Sequence, residues 1–403
     1  MPDVRFVSTD SIDSAADVSA EICTPCLMMD LAAVQERYEE FGQALPGADL
    51  FYAVKANPEP QLIAFLVDLG SRFDVASRPE LELCLAAGAR PADISYGSTV
   101  KKERDIAFAH RSGVSRFAVD SAAELAKIAR CAPGAEVFVR VTCTGAGSCF
   151  PLDRKFGCST AAAASLLLDA DAAGLRAAGV SFHVGSQQLD PGAWRAGIAD
   201  AAEVFRRVRA RGLRPDLLDL GGGFPAHYDA QVRPLSDYGD AIHEAVAAEF
   251  GDDRPELMIE PGRGLVADAG TLHSEVVLVS DRDGDAGPRW VYLDVGRFGG
   301  LAETEGELVR YPIRTAHDDG PRSPVVLAGP TCDSADVLYR RHPYLLPDDL
   351  CAGDVVRLLH TGAYTASYSS VGFNGFAPLR CVCTGDPAAG GPGSSLRAAN
   401  VAV

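Results

Sequence analysis

Between residues 49 and 265 the chain alternates short apolar runs with longer stretches whose apolar residues fall at helical spacing. The short runs are LFYAVK (50–55), RFDVAS (72–77), DISYG (93–97), RFAVD (116–120), EVFVRVT (136–142), VSFHVGS (180–186), DLLDLGGG (216–223) and ELMIEPGR (256–263). Between them lie segments such as PQLIAFLVDLG, PELELCLAAG, SAAELAKIARC and AWRAGIADAAEVFRRVRARG, which place apolar residues on one helical face. Near-continuously apolar strands belong in a parallel sheet covered on both sides. Eight β/α units in succession predict an α/β protein built on a closed, TIM-like (β/α)8 barrel over residues 29–265. A doubly wound sheet is the competing arrangement, and the strand count disfavours it.

After residue 266 the pattern changes to SEVVLVS, RWVYLDVG, SPVVLAG and GDVVRLLH, divided by Gly, Pro and Asp turns. These predict a second, all-β domain over 266–383, completed by strand contributions from residues 1–28. Residues 384–403 are low in complexity and read as a disordered tail.

Composition narrows the function classes. A formal charge of -18 and a pI near 4.8 argue against nucleic-acid or anionic-membrane partners and weakly favour a cationic small molecule. No apolar run reaches the roughly 20 residues of a membrane helix, and MPDVRFVSTDSIDSAAD lacks the features of a signal peptide, so a cytoplasmic protein is expected. The eleven cysteines are irregularly spaced and read as reduced. Cys23 and Cys26 have redox-motif spacing without a strand–helix context, and Cys381 and Cys383 lack partners for zinc, so no metal is expected.

In a barrel, the C-terminal ends of the strands share one rim, where active sites form. The polar residues of the eight runs collect there: Lys55, Asp74, Ser77, Arg140, His183, Ser186, Gly221 to Gly223, Glu260 and Arg263. A strand-end lysine can simply snorkel to solvent. On a crowded rim, desolvation is expected to lower its pKa and suit it to imine chemistry. The glycine triplet can be a flexible turn, but with EPGRG after the next strand it makes a phosphate cradle where barrels carry one. Glu260 is either a carboxylate at a helix start or, if the phosphate is that of pyridoxal 5′-phosphate (PLP), the partner of the pyridine nitrogen. His183 is either a satisfied barrel histidine or a ring packed on the cofactor, and Ser186 offers a hydroxyl to the phosphate. In the β-domain, GPTCDSAD (329–336) sets Cys332 beside Asp333, and GAYTASYSS (362–370) adds Tyr364.

These motifs run in order from about Phe51 to Phe376: FYAVKAN, FDVAS, RKFG (154–157), FHVGS, LDLGGGFP, EPGR, GPTCDSAD, GAYT and FNGF (373–376). The series resembles the fold-type III PLP-dependent decarboxylases of ornithine, lysine, arginine and diaminopimelate. With VGRFGGLAE (295–303) it is most similar to the bacterial ornithine/lysine branch. The resemblance implies an alanine racemase-like barrel plus β-domain and decarboxylation of L-ornithine or L-lysine to a diamine, as in polyamine biosynthesis. It implies that Lys55 holds PLP as a Schiff base, Glu260 pairs with the pyridine nitrogen and His183 stacks on the ring. Asp74 and Arg140 would support Lys55 and the cofactor. Ser186, Gly221, Gly222, Gly223, Gly262, Arg263 and Tyr364 would hold the phosphate. Family members are homodimers in which Cys332 and Asp333 reach the partner's site, Cys332 to protonate the product carbon and Asp333 to bind the distal ammonium. Lys155 would make a cross-subunit salt link.

The sequence departs from the family at LAETEGELVRYPI (301–313), where bacterial relatives carry an Asp close to the position of Gly306. Glu303 and Glu307, with Glu305 between them, are the substitutes on offer for substrate binding. The departure keeps other substrates open: diaminopimelate, a non-basic amino acid, or an aminoacyl group tethered to a carrier protein. An alanine racemase would place an arginine where Glu260 stands. A catalytically dead regulator would have lost cofactor residues that are present here.

Overall fold

The computed structural model describes residues 23–152, 155–282 and 287–385. Residues 1–22 and 386–403, expected to belong to the β-domain and to a disordered tail, lie outside the described residues, as does Arg154 of the RKFG motif.

Eight parallel strands close into a barrel in the order Leu217–Asp219, Glu256–Ile259, Ala48–Ala53, Arg72–Val75, Ile94–Tyr96, Arg116–Val119, Glu136–Arg140 and Arg176–Ser181. All eight correspond to the runs read from the sequence. Arg176–Ser181 begins earlier than expected and ends at Ser181, so His183 stands beyond its strand. Its sequence RAAGVS is poor in β-branched residues, and Gly179 is needed where the strand crowds its neighbour: a Cβ there would lie 1.8 Å from the carbonyl oxygen of Leu217.

Helices follow the strands, and their starts are written in the sequence. Ser77 caps Arg78–Ala86 by accepting from the Glu80 backbone N–H, while the Glu80 carboxylate takes the Ala76 N–H at 2.6 Å. Ser77, read as a rim residue, thus has a structural task. Ser121 caps Ala122–Cys131 in the same way through Glu124. Phe51, Ala118, Phe138, Ala178, Leu217 and Met258 pack together on the barrel axis and floor the space above them.

The second sheet has nine strands around the long central strand Gly270–Ser280. Cys26–Asp30 enters this sheet, antiparallel to Gly270–Ser280 and parallel to Arg380–Thr384. No helix among the described residues is long and apolar enough to cross a membrane. All eleven cysteines are free, and the described residues hold no cluster of three or more His, Cys, Asp or Glu suited to a metal.

Candidate active site

Lys55 lies just past its strand, in the single turn Val54–Ala56. Three hydrogen bonds to two other segments pin that turn. The Ala53 N–H donates to Pro261 O at 3.1 Å, the Tyr364 N–H donates to Ala56 O at 2.8 Å, and the Asn57 amide donates to Gly362 O at 3.0 Å. Tyr364 adopts φ 55°, a costly conformation for a bulky residue that the surrounding bonds hold in place.

The Lys55 amine donates to Asp74 Oδ2 at 2.9 Å, and Asp74 Oδ1 accepts from the Gly97 N–H at 3.1 Å. Asp74 is buried, whereas the Lys55 side chain is 44% exposed toward the mouth. Desolvation pulls the Lys55 pKa down, but Asp74, Tyr364 and Glu260 outweigh it, and the ammonium is held above its ordinary value. This corrects the expectation of a lowered pKa: the facing carboxylate wins over burial.

Beside this pair lies a recess lined by Gly97, Arg140, His183, Asp219 and Glu260, with Phe138 from the floor below. Asp219 ends its strand with 1% exposure and accepts from the Gly221 N–H at 2.9 Å. Burial lifts the Asp219 pKa to about 7; the Gly221 N–H opposes this, Asp74 adds to it, and a hydrogen bond with Glu260 opposes it. Glu260 is pushed well above the carboxylate range, first by burial and then by Asp219 and Asp74. The two carboxyls therefore keep a proton between them near neutral pH.

His183 accepts from the Gly185 N–H on Nδ1 at 3.0 Å, which puts the proton of the neutral ring on Nε2. Burial, Arg140 and Lys55 hold its pKa well below normal, so the ring stays neutral. Arg140 makes its close contact with the Phe156 ring, at 5.5 Å, and Lys155 lies 4.9 Å from the same ring.

Glycine lets the backbone come close to the polar groups around this recess. A Cβ on Gly222 would stand 2.6 Å from the carbonyl oxygen of Glu260 and 3.3 Å from His183 Nε2. One on Gly97 would strike Asp74 Oδ1 at 2.1 Å. A bare glycine surface beside a neutral imidazole, a protonated carboxyl and a lysine amine fits PLP, whose ring, nitrogen and aldehyde carbon need those neighbours.

Arg263 sits at the other end of the glycine run, 3% exposed. Its Nε donates to Ser186 Oγ at 3.1 Å and its Nη1 to Tyr228 Oη at 2.8 Å. Both Nη atoms donate to the Glu303 carboxylate, at 2.6 and 2.7 Å. The Tyr364 ring lies 4.8 Å away, and Gly262 precedes the guanidinium's own turn.

Of the residues offered for substrate binding, the two glutamates are engaged elsewhere on this chain. Glu303 is buried against Arg263. Glu307 accepts from the Arg341 N–H at 2.6 Å and pairs with His342 Nδ1 at 2.6 Å. Cys332 and Asp333 are exposed; the Cys332 N–H donates to Asn374 Oδ1 at 3.0 Å, and Asp333 Oδ1 accepts from the Ala335 N–H. Neither makes a hydrogen bond or ion pair with the barrel cluster. Asp219 and Tyr228 escaped the sequence reading. An acid between two leucines of a buried parallel strand was the available signal for Asp219.

Comparison with known proteins agrees with this geometry. The family model described as "Pyridoxal-dependent decarboxylase, pyridoxal binding domain" matches residues 31–267. The chain is 35% identical to the lysine/ornithine decarboxylase of Selenomonas ruminantium, over 89% of each chain. It superposes on the lysine/ornithine decarboxylase of Vibrio vulnificus complexed with cadaverine with a TM-score of 0.84 and 32% identity, covering 94% of this chain and 100% of that one. The arginine decarboxylase of Paramecium bursaria Chlorella virus, bound to agmatine, gives a TM-score of 0.83 at 29% identity, covering 92% and 100%.

Proposed function

The chain belongs to the pyridoxal-dependent decarboxylases related to lysine and ornithine decarboxylases, and from that premise we propose that it converts L-ornithine or L-lysine to the corresponding diamine and carbon dioxide. The placing of His183 and Glu260 in one recess, with the Lys55–Asp74 pair beside it at Gly97, carries this reading. A diamine product fits a role in polyamine biosynthesis.

PLP bound here supplies an electron sink for the pair released when the bond between Cα and the carboxylate breaks. Lys55 would be the covalent anchor of PLP, and Asp74 holds its amine in place. Glu260, backed by Asp219, keeps a proton at the ring nitrogen. His183 would offer its neutral ring to the cofactor, and Arg140 balances the surrounding carboxyls. The glycine backbone from Gly221 to Gly223, with Gly262, Ser186, Arg263 and Tyr364, receives the phosphate.

The rest of the site comes from a second copy of the chain. Cys332 delivers a proton to Cα, and Asp333 binds the distal ammonium through a charge-assisted bond. Their exposure supports this, as does the apolar surface around Asn374, where Val371 is 87% and Phe376 44% exposed. Lys155, on the rim, makes a salt link across the same interface.

A carbon dioxide release assay on ornithine, lysine, arginine and diaminopimelate tests the substrate. Turnover of ornithine or lysine is expected, and release from neither refutes the reading. Mixing Lys55→Ala with Cys332→Ala protein tests the shared site: activity should reappear in mixed dimers, and two variants that stay inactive together argue against it.

A further inference from the structure

We propose that Glu303 is a positioning residue that acts through Arg263 on the phosphate end of the cofactor site, and that it does not read the substrate's distal amine. The proposal rests on the assignment of Arg263 to the phosphate made above.

Arg263 belongs to the barrel and Glu303 to the segment after the strand Arg289–Leu293, so their pairing ties the two sheets together at the cofactor. Both side chains are almost wholly buried, at 3% and 6% exposure. The guanidinium and the carboxylate meet fork to fork, the geometry that fixes a planar cation most firmly. Of the five N–H donors of an arginine, the bonds to Ser186, Tyr228 and the two Glu303 oxygens occupy four. One N–H on Nη2 is left, and Glu303 determines where it points. Ser186 Oγ accepts from Arg263, so its own hydroxyl proton turns outward, free to donate to an anion.

The same bonds exclude Glu303 from substrate recognition. A carboxylate with both oxygens on one guanidinium and almost no exposed surface cannot meet an incoming ammonium. The other two acids of the segment are also engaged on their own chain, Glu305 with Arg297 at 3.1 Å and Glu307 with His342. Three glutamates that look in the sequence like substitutes for a missing aspartate therefore each pair on their own chain, Glu303 and Glu307 with little exposure and Glu305 at the surface. The distal ammonium falls to Asp333, whose contact on this chain is one backbone N–H.

Charge alone predicts the opposite outcome. A negative Glu303 near a phosphate dianion opposes binding, so its removal would tighten the complex. Geometry wins because glutamine turns an NH2 donor toward a guanidinium that carries only donors, and Arg263 is driven from its place.

The test titrates purified protein, stripped of cofactor, with PLP and follows the absorbance of the bound chromophore. Glu303→Gln should raise the dissociation constant by about tenfold or more, the scale of lost hydrogen bonds to a charged group. Substrate KM at saturating cofactor should stay within about twofold of wild type. On an Arg263→Gln background the same change should add nothing further. Cofactor binding as in wild type, a raised KM in its place, or additive effects of the two substitutions would each overturn the proposal. If Glu303→Gln does not fold, Glu303→Asp, which draws the carboxylate back by one methylene, takes its place. It should weaken PLP binding, and an unchanged constant counts against the idea. A wild-type protein that binds no PLP would instead refute the functional reading itself.

Discussion

The mouth of the barrel and the seam between barrel and sheet both bury carboxyl groups, and they treat them in opposite ways. At the mouth, Asp219 and Glu260 face each other with Asp74 nearby, and burial and like charge raise both. At the seam, Asp268 faces two imidazoles, His227 Nδ1 at 2.6 Å and His360 Nδ1 at 2.9 Å, and also accepts from the His227 N–H at 3.0 Å. Burial alone would raise Asp268, but these partners hold it well below the usual carboxylate range. The seam satisfies its charge, as a structural contact does. The mouth keeps acids protonated near neutral pH at a cost to stability, an arrangement that chemistry explains and folding does not.

The comparison breaks most visibly at Lys55, the amine that faces the acids of the mouth. Lys55→Ala should abolish carbon dioxide release and the absorbance of covalently held PLP while circular dichroism stays native. Retained turnover would mean that the mouth is not the reaction centre.

Asp219→Asn addresses the protonated pair directly. A raised carboxyl contributes stability that is complete below its ordinary value of 3.8 and disappears as pH rises to about 7. Wild type should therefore lose stability relative to Asp219→Asn as pH climbs through that window, and the difference should level off above it. Because Asp219 and Glu260 titrate as a pair, the window belongs to both. Denaturant unfolding from pH 4.5 to 8 measures it, and a pH-independent offset would remove the shared proton.

Asp268→Asn probes the seam, where the sign reverses. A depressed carboxylate contributes above its ordinary 3.8 and loses that contribution as pH falls, whereas the raised His227 contributes below 6.5 and loses its share as pH rises through its folded value. The variant should be less stable by about 1–3 kcal/mol near pH 6, where both charges are present. The gap should narrow toward pH 8 and, on the acid side, as pH falls below 3.8, with turnover little changed. A gap that widens toward pH 8 would contradict the histidine clamp.

How far the sequence reveals these two regions depends on the range of the forces involved. The eight barrel strands were legible because burial on both faces writes apolar runs into local sequence. The strand Arg176–Ser181 was misplaced at its start because alanine and glycine carry little strand signal, and its position is set by packing against Leu217. Lys55, His183 and Glu260 could be read from their strand ends, but the sign of the Lys55 shift could not, since it depends on Asp74 from the next strand. Asp219 was hidden beside a conspicuous glycine triplet. Glu303 was misleading for a deeper reason: its partner Arg263 starts the short helix after the last barrel strand, and no periodicity records an ion pair so far apart in sequence.

Glu307 supplies the smallest effect and separates an acid near the mouth from an acid of the mouth. Its backbone sits at φ 60° next to Gly306, and its carboxylate is held by the Arg341 N–H and by His342, whose side chain is 77% exposed. Burial raises its pKa somewhat, but those two partners bring it below the ordinary value, the pattern of the seam. A pair with so exposed a partner is worth little, so Glu307→Gln should change stability by less than about 1 kcal/mol. Neither PLP affinity nor substrate KM should move. A raised KM for ornithine or lysine, with PLP binding unchanged, would place Glu307 at the substrate's distal end and return the segment 301–313 to the recognition role that its three glutamates suggest in the sequence.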